Sequence, residues 1–172
     1  MRSEHLKRAE ELILKYTEER TPIRFLTLLE NFTSGYSLRA LDKSISTGIV
    51  KNKSINHLIF VEDIRFFSLC KHHLMPFYGT VKIAYFPKKS LLGISKFVRI
   101  VNHFSRRFQL QEELTQNIAN YLHQKLNCPV YTKITATHTC TLLKTSQAIN
   151  FTTQVFVGDW FDEIRNEVIS RT

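Results

Sequence analysis

The sequence has no apolar run approaching the ~18 residues that a membrane-spanning helix needs, so a membrane protein is not expected. Its first residues, MRSEHLKRAEELILKY, mix charge with apolar side chains and lack the continuous apolar segment of a secretion signal. The expectation is a cytoplasmic chain whose cysteines stay reduced. Cysteines number only 3, and an odd count argues against a disulfide framework. Glycine (5) and proline (4) are scarce, and no repeat, low-complexity tract or linker divides the 172 residues. One domain, 1–172, follows. Acidic residues are also few: 15 against 24 Lys and Arg, a net charge of +9. Such a surface attracts anions, whether nucleic acid, lipid headgroups or a phosphorylated small molecule.

What is present is a core: 43% of residues are hydrophobic and 12% aromatic, too many for a disordered chain. Apolar spacing predicts a helix over 4–19 and a second one starting at Thr21-Pro22, with Thr21 as its N-cap. These N-terminal helices occupy 1–35. Residues 33–57 are polar and basic and read as loop with some extended structure. Strand formers crowd 58–67 and 80–86. Two helices follow, the first burying Phe97, Ile100, Val101, Phe104 and Phe108, the second Leu114, Ile118, Tyr121, Leu122 and Leu126. Strands at about 130–143 and 149–157 and a short helix from Asp159 complete the chain. This order predicts an α+β fold, with an antiparallel sheet carrying a helix pair on one face and a core over 58–158.

The chemistry concentrates in two clusters, Cys70-Lys71-His72-His73 and His138-Thr139-Cys140. Thiolate and imidazole are zinc ligands, and a catalytic zinc takes three protein ligands and leaves one position open. Cys70 and His73 form a C-x-x-H pair at a strand end. In a strand running through 130–143, His138 and Cys140 share a face with Val130, Thr132, Ile134 and Ala136. Cys70, His73 and Cys140 would make an open site, with His72 and His138 free to move protons. All of Cys70, His73, His138 and Cys140 together would make a closed structural site instead. Cys128, beside Pro129, reads as packing, and His103 and His123 read as solvated. The zinc base deaminases are disfavoured, because their H-x-E and P-C-x-x-C signatures are absent.

The run Cys70-Lys-His-His73, Pro76, Gly79, Ile83-Ala-Tyr-Phe-Pro87, Gly93-Ile-Ser-Lys96, Arg99-Ile-Val101, Gln111-Glu112 and Leu114-Thr115 resembles the GTP cyclohydrolase I family, as do Thr21-Pro22 and Arg24. The resemblance spans nearly the whole chain. It implies the tunnelling fold and a toroidal homodecamer with active sites between subunits. It implies zinc-dependent conversion of GTP to 7,8-dihydroneopterin triphosphate and formate, the first step of tetrahydrofolate and pterin synthesis. Cys70, His73 and Cys140 would hold Zn2+, which readies water to attack the purine. His138 would donate a proton to the opening ring and His72 would assist. Gln111 and Glu112 would read guanine. Ser95, Lys96, Arg99 and Arg24 would hold ribose and triphosphate, with Lys144 also on the phosphates.

Three departures from that family's pattern stand out: Lys71 in place of Glu, Lys144-Thr145 in place of Arg-Gly, and Thr27 in place of a basic residue. They lie near the metal or the triphosphate, so weaker GTP binding is expected. The competing readings are a divergent paralogue acting on another purine or pterin, and a basic nucleic-acid-binding module with a structural zinc. Glu112 argues against the second, since an acid repels a phosphate backbone.

Overall fold

A computed structural model of the chain describes residues 2–171. Its main sheet has five strands in the order β5-β2-β3-β6-β7: β2 (Ile59–Cys70), β3 (Pro76–Tyr85), β5 (Phe108–Gln109), β6 (Val130–His138) and β7 (Asn150–Val157). All neighbours are antiparallel except β5, which pairs parallel with the end of β2, Cys70 facing Gln109. A separate ribbon joins β1 (Ile49–Lys51) to β4 (Ser90–Leu92). Helices α4 (Ile94–Ser105) and α5 (Gln111–Leu126) lie on one face of the main sheet, as expected for the tunnelling fold. Their stripes at Phe97, Ile100, Val101 and Phe104, and at Leu114, Ile118, Tyr121, Leu122 and Leu126, pack on Ile64, Phe66, Phe77, Val81, Ile83 and Ile134. Phe108 belongs to β5, beyond the end of α4.

The sheet's phase is set by one irregularity. In the first part of β2, Ile59 and Val61 face the helix pair, while Leu58 and Phe60 join a smaller cluster with Ala84, Tyr131 and Val168. A bulge then falls between Val61 and Ile64, with Asp63 in the left-handed region at φ 57°. The extra residue shifts the alternation from odd to even. Ile64, Phe66, Ser68 and Cys70 therefore face inward, with Cys70 only 5% exposed. Without the bulge, Cys70 would point to the opposite face. Further along, β3 and β6 come close at Gly79, where a Cβ would lie 1.9 Å from the Thr135 carbonyl oxygen.

Several expectations are corrected. Residues 33–57 contain a helix, α3 (Leu38–Ile45), between two short turns at 34–36 and 46–48. Only Leu41 and Ile45 of its residues are buried, and long-range bonds help hold it. Tyr121 Oη donates to Asp42 at 2.6 Å, and Lys96 Nζ and Arg99 Nη1 donate to the Ser44 carbonyl at 3.0 and 3.1 Å. Thr21 is the first residue of α2 (Thr21–Phe32) and caps nothing. Helix α1 covers Arg2–Tyr16 and the last helix, α7, covers Asp162–Arg171. Most consequential, the strand from Val130 stops at His138, and a short helix α6 (Thr139–Thr145) takes its place, closed by Ser146 at φ 56°. Cys140 therefore does not share a strand face with His138; it sits in the first turn of α6.

His103 and His123 are half-buried, against the expectation of solvated histidines. His123 Nδ1 lies 2.7 Å from the Cys128 carbonyl oxygen, and the buried Nε2 of His103 has no hydrogen-bond partner. Cys128 packs in the core as expected, and burial pushes its thiol pKa up to about 11. No helix among the described residues is long and apolar enough to cross a membrane.

Candidate active site

Three chain segments meet at one end of the sheet: the end of β2, the junction of β6 with α6, and the first turn of α5. There Cys70, His138 and Cys140 each bring a ligand atom within 4.8 Å of the others. Both cysteines are buried, at 5% and 8% exposure. Tetrahedral zinc at ~2.3 Å from sulfur holds two thiolates roughly 3.8 Å apart, so two thiols and an imidazole this close, shielded from water, fit that ion.

The histidines differ in how firmly they are held. His138 lies flat on Phe77, with ring centroids 4.7 Å apart and planes 1° from parallel. Its Nε2 is 3.0 Å from Gln111 Oε1. Burial holds its pKa below the ordinary histidine value, partly offset by the charge of Glu112. His73, on the exposed turn after β2, places Nδ1 3.9 Å from the Cys70 sulfur and Nε2 2.9 Å from Lys144 Nζ. A lysine ammonium only donates, so His73 Nε2 accepts and the ring hydrogen sits on Nδ1. His72 is exposed on the same turn, its ring centroid 6.1 Å from that of His73.

Glu112 is exposed and lines two cavities of about 600 and 330 Å³, neither lined by Cys70, His138 or Cys140. Gln111 is only 1% exposed, and its amide is engaged in the core rather than open to a ligand. Lys71 pairs with Glu113, which also accepts from the Leu110 N–H at 2.9 Å in the first turn of α5. The lysine ammonium, foremost, holds the Glu113 carboxyl pKa below its ordinary value. The Lys71 charge is thus neutralised by a neighbour 42 positions along the chain.

The remaining predicted residues lie elsewhere in this subunit. Ser95, Lys96 and Arg99 occupy the start of α4, whereas the end of α4 leads into β5 beside Cys70. At ~1.5 Å rise per residue, Lys96 and Ser105 are roughly 13 Å apart along the axis. Arg24 on α2 is exposed and pairs with Glu18 at 3.4 Å. Phe77 and Thr153 stand out by no motif in the sequence, and Thr115 only as part of the Leu114-Thr115 match. An inward position on β3 marks Phe77 as core, and nothing local marks the two threonines.

A sequence profile described as GTP cyclohydrolase I matches residues 3–171. The GTP cyclohydrolase 1 of Campylobacter jejuni subsp. jejuni (strain 81-176) is 40% identical over 135 residues, which are 78% of this chain and 70% of that protein. The GTP cyclohydrolase 1 of Rattus norvegicus is 39% identical over 132 residues, 76% of this chain and 54% of that protein. Among solved structures, an archaeosine synthase QueF-Like in the apo form aligns with a TM-score of 0.49 at 19% identity, covering 59% of this chain and 95% of that one.

Proposed function

The chain belongs to the GTP cyclohydrolase I family, and on that premise we propose that it hydrolyses GTP to formate and 7,8-dihydroneopterin triphosphate. The observation that carries this reading is the gathering of Cys70, Cys140 and His138 beside the free carboxylate of Glu112. Two buried thiols and an imidazole are a zinc donor set, and an exposed acid suits the N–H edge of guanine.

Cys70 and Cys140 would hold zinc, with His73 as the third ligand. His73 is the choice because it stands on an exposed turn with Nδ1 3.9 Å from the Cys70 sulfur, while His138 is clamped between Phe77 and Gln111. Zinc bound there would supply Lewis acidity and lower the pKa of water toward neutrality. His138, rigid and with its pKa lowered by burial, would pass a proton to the purine nitrogen as the imidazole ring opens. His72 would assist from the turn. Glu112 would accept from the guanine ring N–H and amino group.

Phosphate recognition would come from a neighbouring subunit. Ser95, Lys96 and Arg99 lie at the wrong end of α4 to serve the metal cluster of their own chain, so the site is incomplete in one subunit. The N-terminal hairpin supports association. No residue of α2 is buried, and Ile23, Phe25, Leu26 and Leu28 are exposed. We read this as the surface of a homo-oligomer, a decamer by family, with Arg24 and Lys144 also reaching the triphosphate.

Incubation of the purified protein with zinc and GTP tests the reading. Formate and a pterin that becomes fluorescent on oxidation are expected. Turnover of a guanine compound lacking the triphosphate, with GTP ignored, would move the assignment to a paralogue with a different substrate.

A further inference from the structure

Lys96 and Arg99, one turn apart on α4, converge on a single acceptor. Lys96 Nζ donates to the Ser44 carbonyl oxygen at 3.0 Å, and Arg99 Nη1 donates to the same oxygen at 3.1 Å. That carbonyl lies in the last turn of α3. The final carbonyls of a helix have no intrahelical partner, and the helix dipole favours cations there. Lys96 Nζ makes a second contact, with Thr47 Oγ1 at 3.3 Å. Among the described residues, no carboxylate lies within ion-pair distance of either cation. The acid of α3, Asp42, is engaged by Tyr121 and Lys125 instead. The cavity of about 320 Å³ that Arg99 lines with Arg106 and His103 has no acid in its wall either.

The turn after α3 is shaped around the Lys96 stem. Gly48 closes it, and a Cβ there would fall within 2.9 Å of Lys96 Cγ, Cδ and Cε. Gly48 is not in the left-handed region, so space and not backbone conformation calls for glycine. The Gly93 N–H donates to the Gly48 carbonyl at 2.9 Å, and Ile49 pairs with Leu92 across the β1–β4 ribbon. The turn is therefore fastened to the start of α4. Two like charges brought to one oxygen repel each other, and an anion between them offsets that cost. One N–H of Lys96 and four of Arg99 remain for such an anion once the bonds to Ser44 and Thr47 are made.

We propose that segment 44–48 is a positioning element for triphosphate recognition. The Ser44 carbonyl and the Thr47 hydroxyl orient Lys96 and Arg99, and Gly48 gives the lysine stem its path. The proposal rests on the reading of Lys96 and Arg99 as phosphate ligands. Holding two long side chains in place beforehand lowers the entropy lost when phosphate binds. Neutral groups suit this role. A carboxylate in place of the carbonyl would fix the same geometry but cancel the charge that phosphate needs.

The test is calorimetric titration of the purified protein with inorganic tripolyphosphate, beside steady-state kinetics on GTP and urea denaturation. Gly48→Ala should displace the lysine stem without straining the backbone. We expect tripolyphosphate binding weakened about 5-fold and KM for GTP raised by a similar factor, with kcat and urea midpoint nearly unchanged. Thr47→Val should give a smaller loss of the same kind, and Thr47→Ser should restore the parent values. If Gly48→Ala fails to fold, the Thr47 pair carries the test. Parent-like tripolyphosphate binding in both Gly48→Ala and Thr47→Val overturns the proposal, even where GTP is turned over normally. So does a fall in kcat and urea midpoint with phosphate binding intact, which would make the turn a support for the fold alone. A parent that does not bind tripolyphosphate overturns it as well. Tripolyphosphate binding in the expected pattern with no pterin formed from GTP would refute the proposed function and leave the positioning role standing.

Discussion

His138 and Phe77 face each other across β6 and β3 as register partners, and the imidazole lies parallel to the phenyl ring at 4.7 Å. Phe77 is fully buried and also meets Phe66 edge to face, so the surface under the imidazole is rigid. Replacing Phe77 by Leu should keep the fold and let the imidazole tilt. We expect a stability loss of roughly 1–3 kcal/mol and a clear fall in kcat with little change in KM. Urea denaturation and steady-state kinetics check both, and an unchanged kcat would show that the stack is only packing.

Metal content separates the roles of the two clusters. Cys140→Ser should lose most of its zinc in elemental analysis, because Cys140 supplies a buried thiol to the donor set. His138→Ala should keep zinc and lose turnover. Loss of zinc in both would make His138 a ligand and point to a closed structural site.

His103 predicts acid sensitivity. Burial, aided by Arg107 and Arg106, holds its pKa below the ordinary histidine value. A base whose folded pKa is depressed binds fewer protons folded than unfolded, so stability rises with pH between the two values. The His103 contribution is complete above the unfolded value of ~6.5 and is lost as pH falls through the lower folded value. His103→Phe should flatten the decline in urea midpoint between neutral and mildly acidic pH. An equally steep decline would assign the acid response to other groups.

Lys144 stands where the family pattern has Arg, and here its ammonium meets His73. A lysine gives one flexible point charge in place of a planar fork of donors. Lys144→Arg should lower the apparent KM for GTP with little change in kcat, and Lys144→Ala should raise it. If Lys144→Ala binds GTP as well as the parent, the residue has no part in phosphate recognition.

Shared sites predict complementation. Arg24→Ala and Cys70→Ser subunits should each be poorly active alone, and co-assembled mixtures should regain part of the activity. Light scattering should show a large homo-oligomer at micromolar concentration. A monomer at that concentration would contradict the intersubunit reading.

Local patterning determined the donor types at Cys70, His73, His138 and Cys140, the buried stripes of α4 and α5, and the inward face of β6 from Val130 to His138. Those signals are short-range: a period near 3.6 or of 2, and side chains whose chemistry does not depend on their neighbours. Tertiary structure decided the rest. The bulge at Asp63 turns Cys70 to the helix side, and no residue type in 58–67 announces it. Cys140 reaches the cluster from the first turn of α6, although the strand formers before it extend the β pattern without a break. Lys71 is balanced by Glu113, and Gln111 turns inward because carbonyls of β6 and β7 and the hydroxyl of Thr153 wait there. Each of these depends on pairing between segments far apart in sequence, where register and unsatisfied hydrogen-bonding groups, rather than local propensity, choose the outcome.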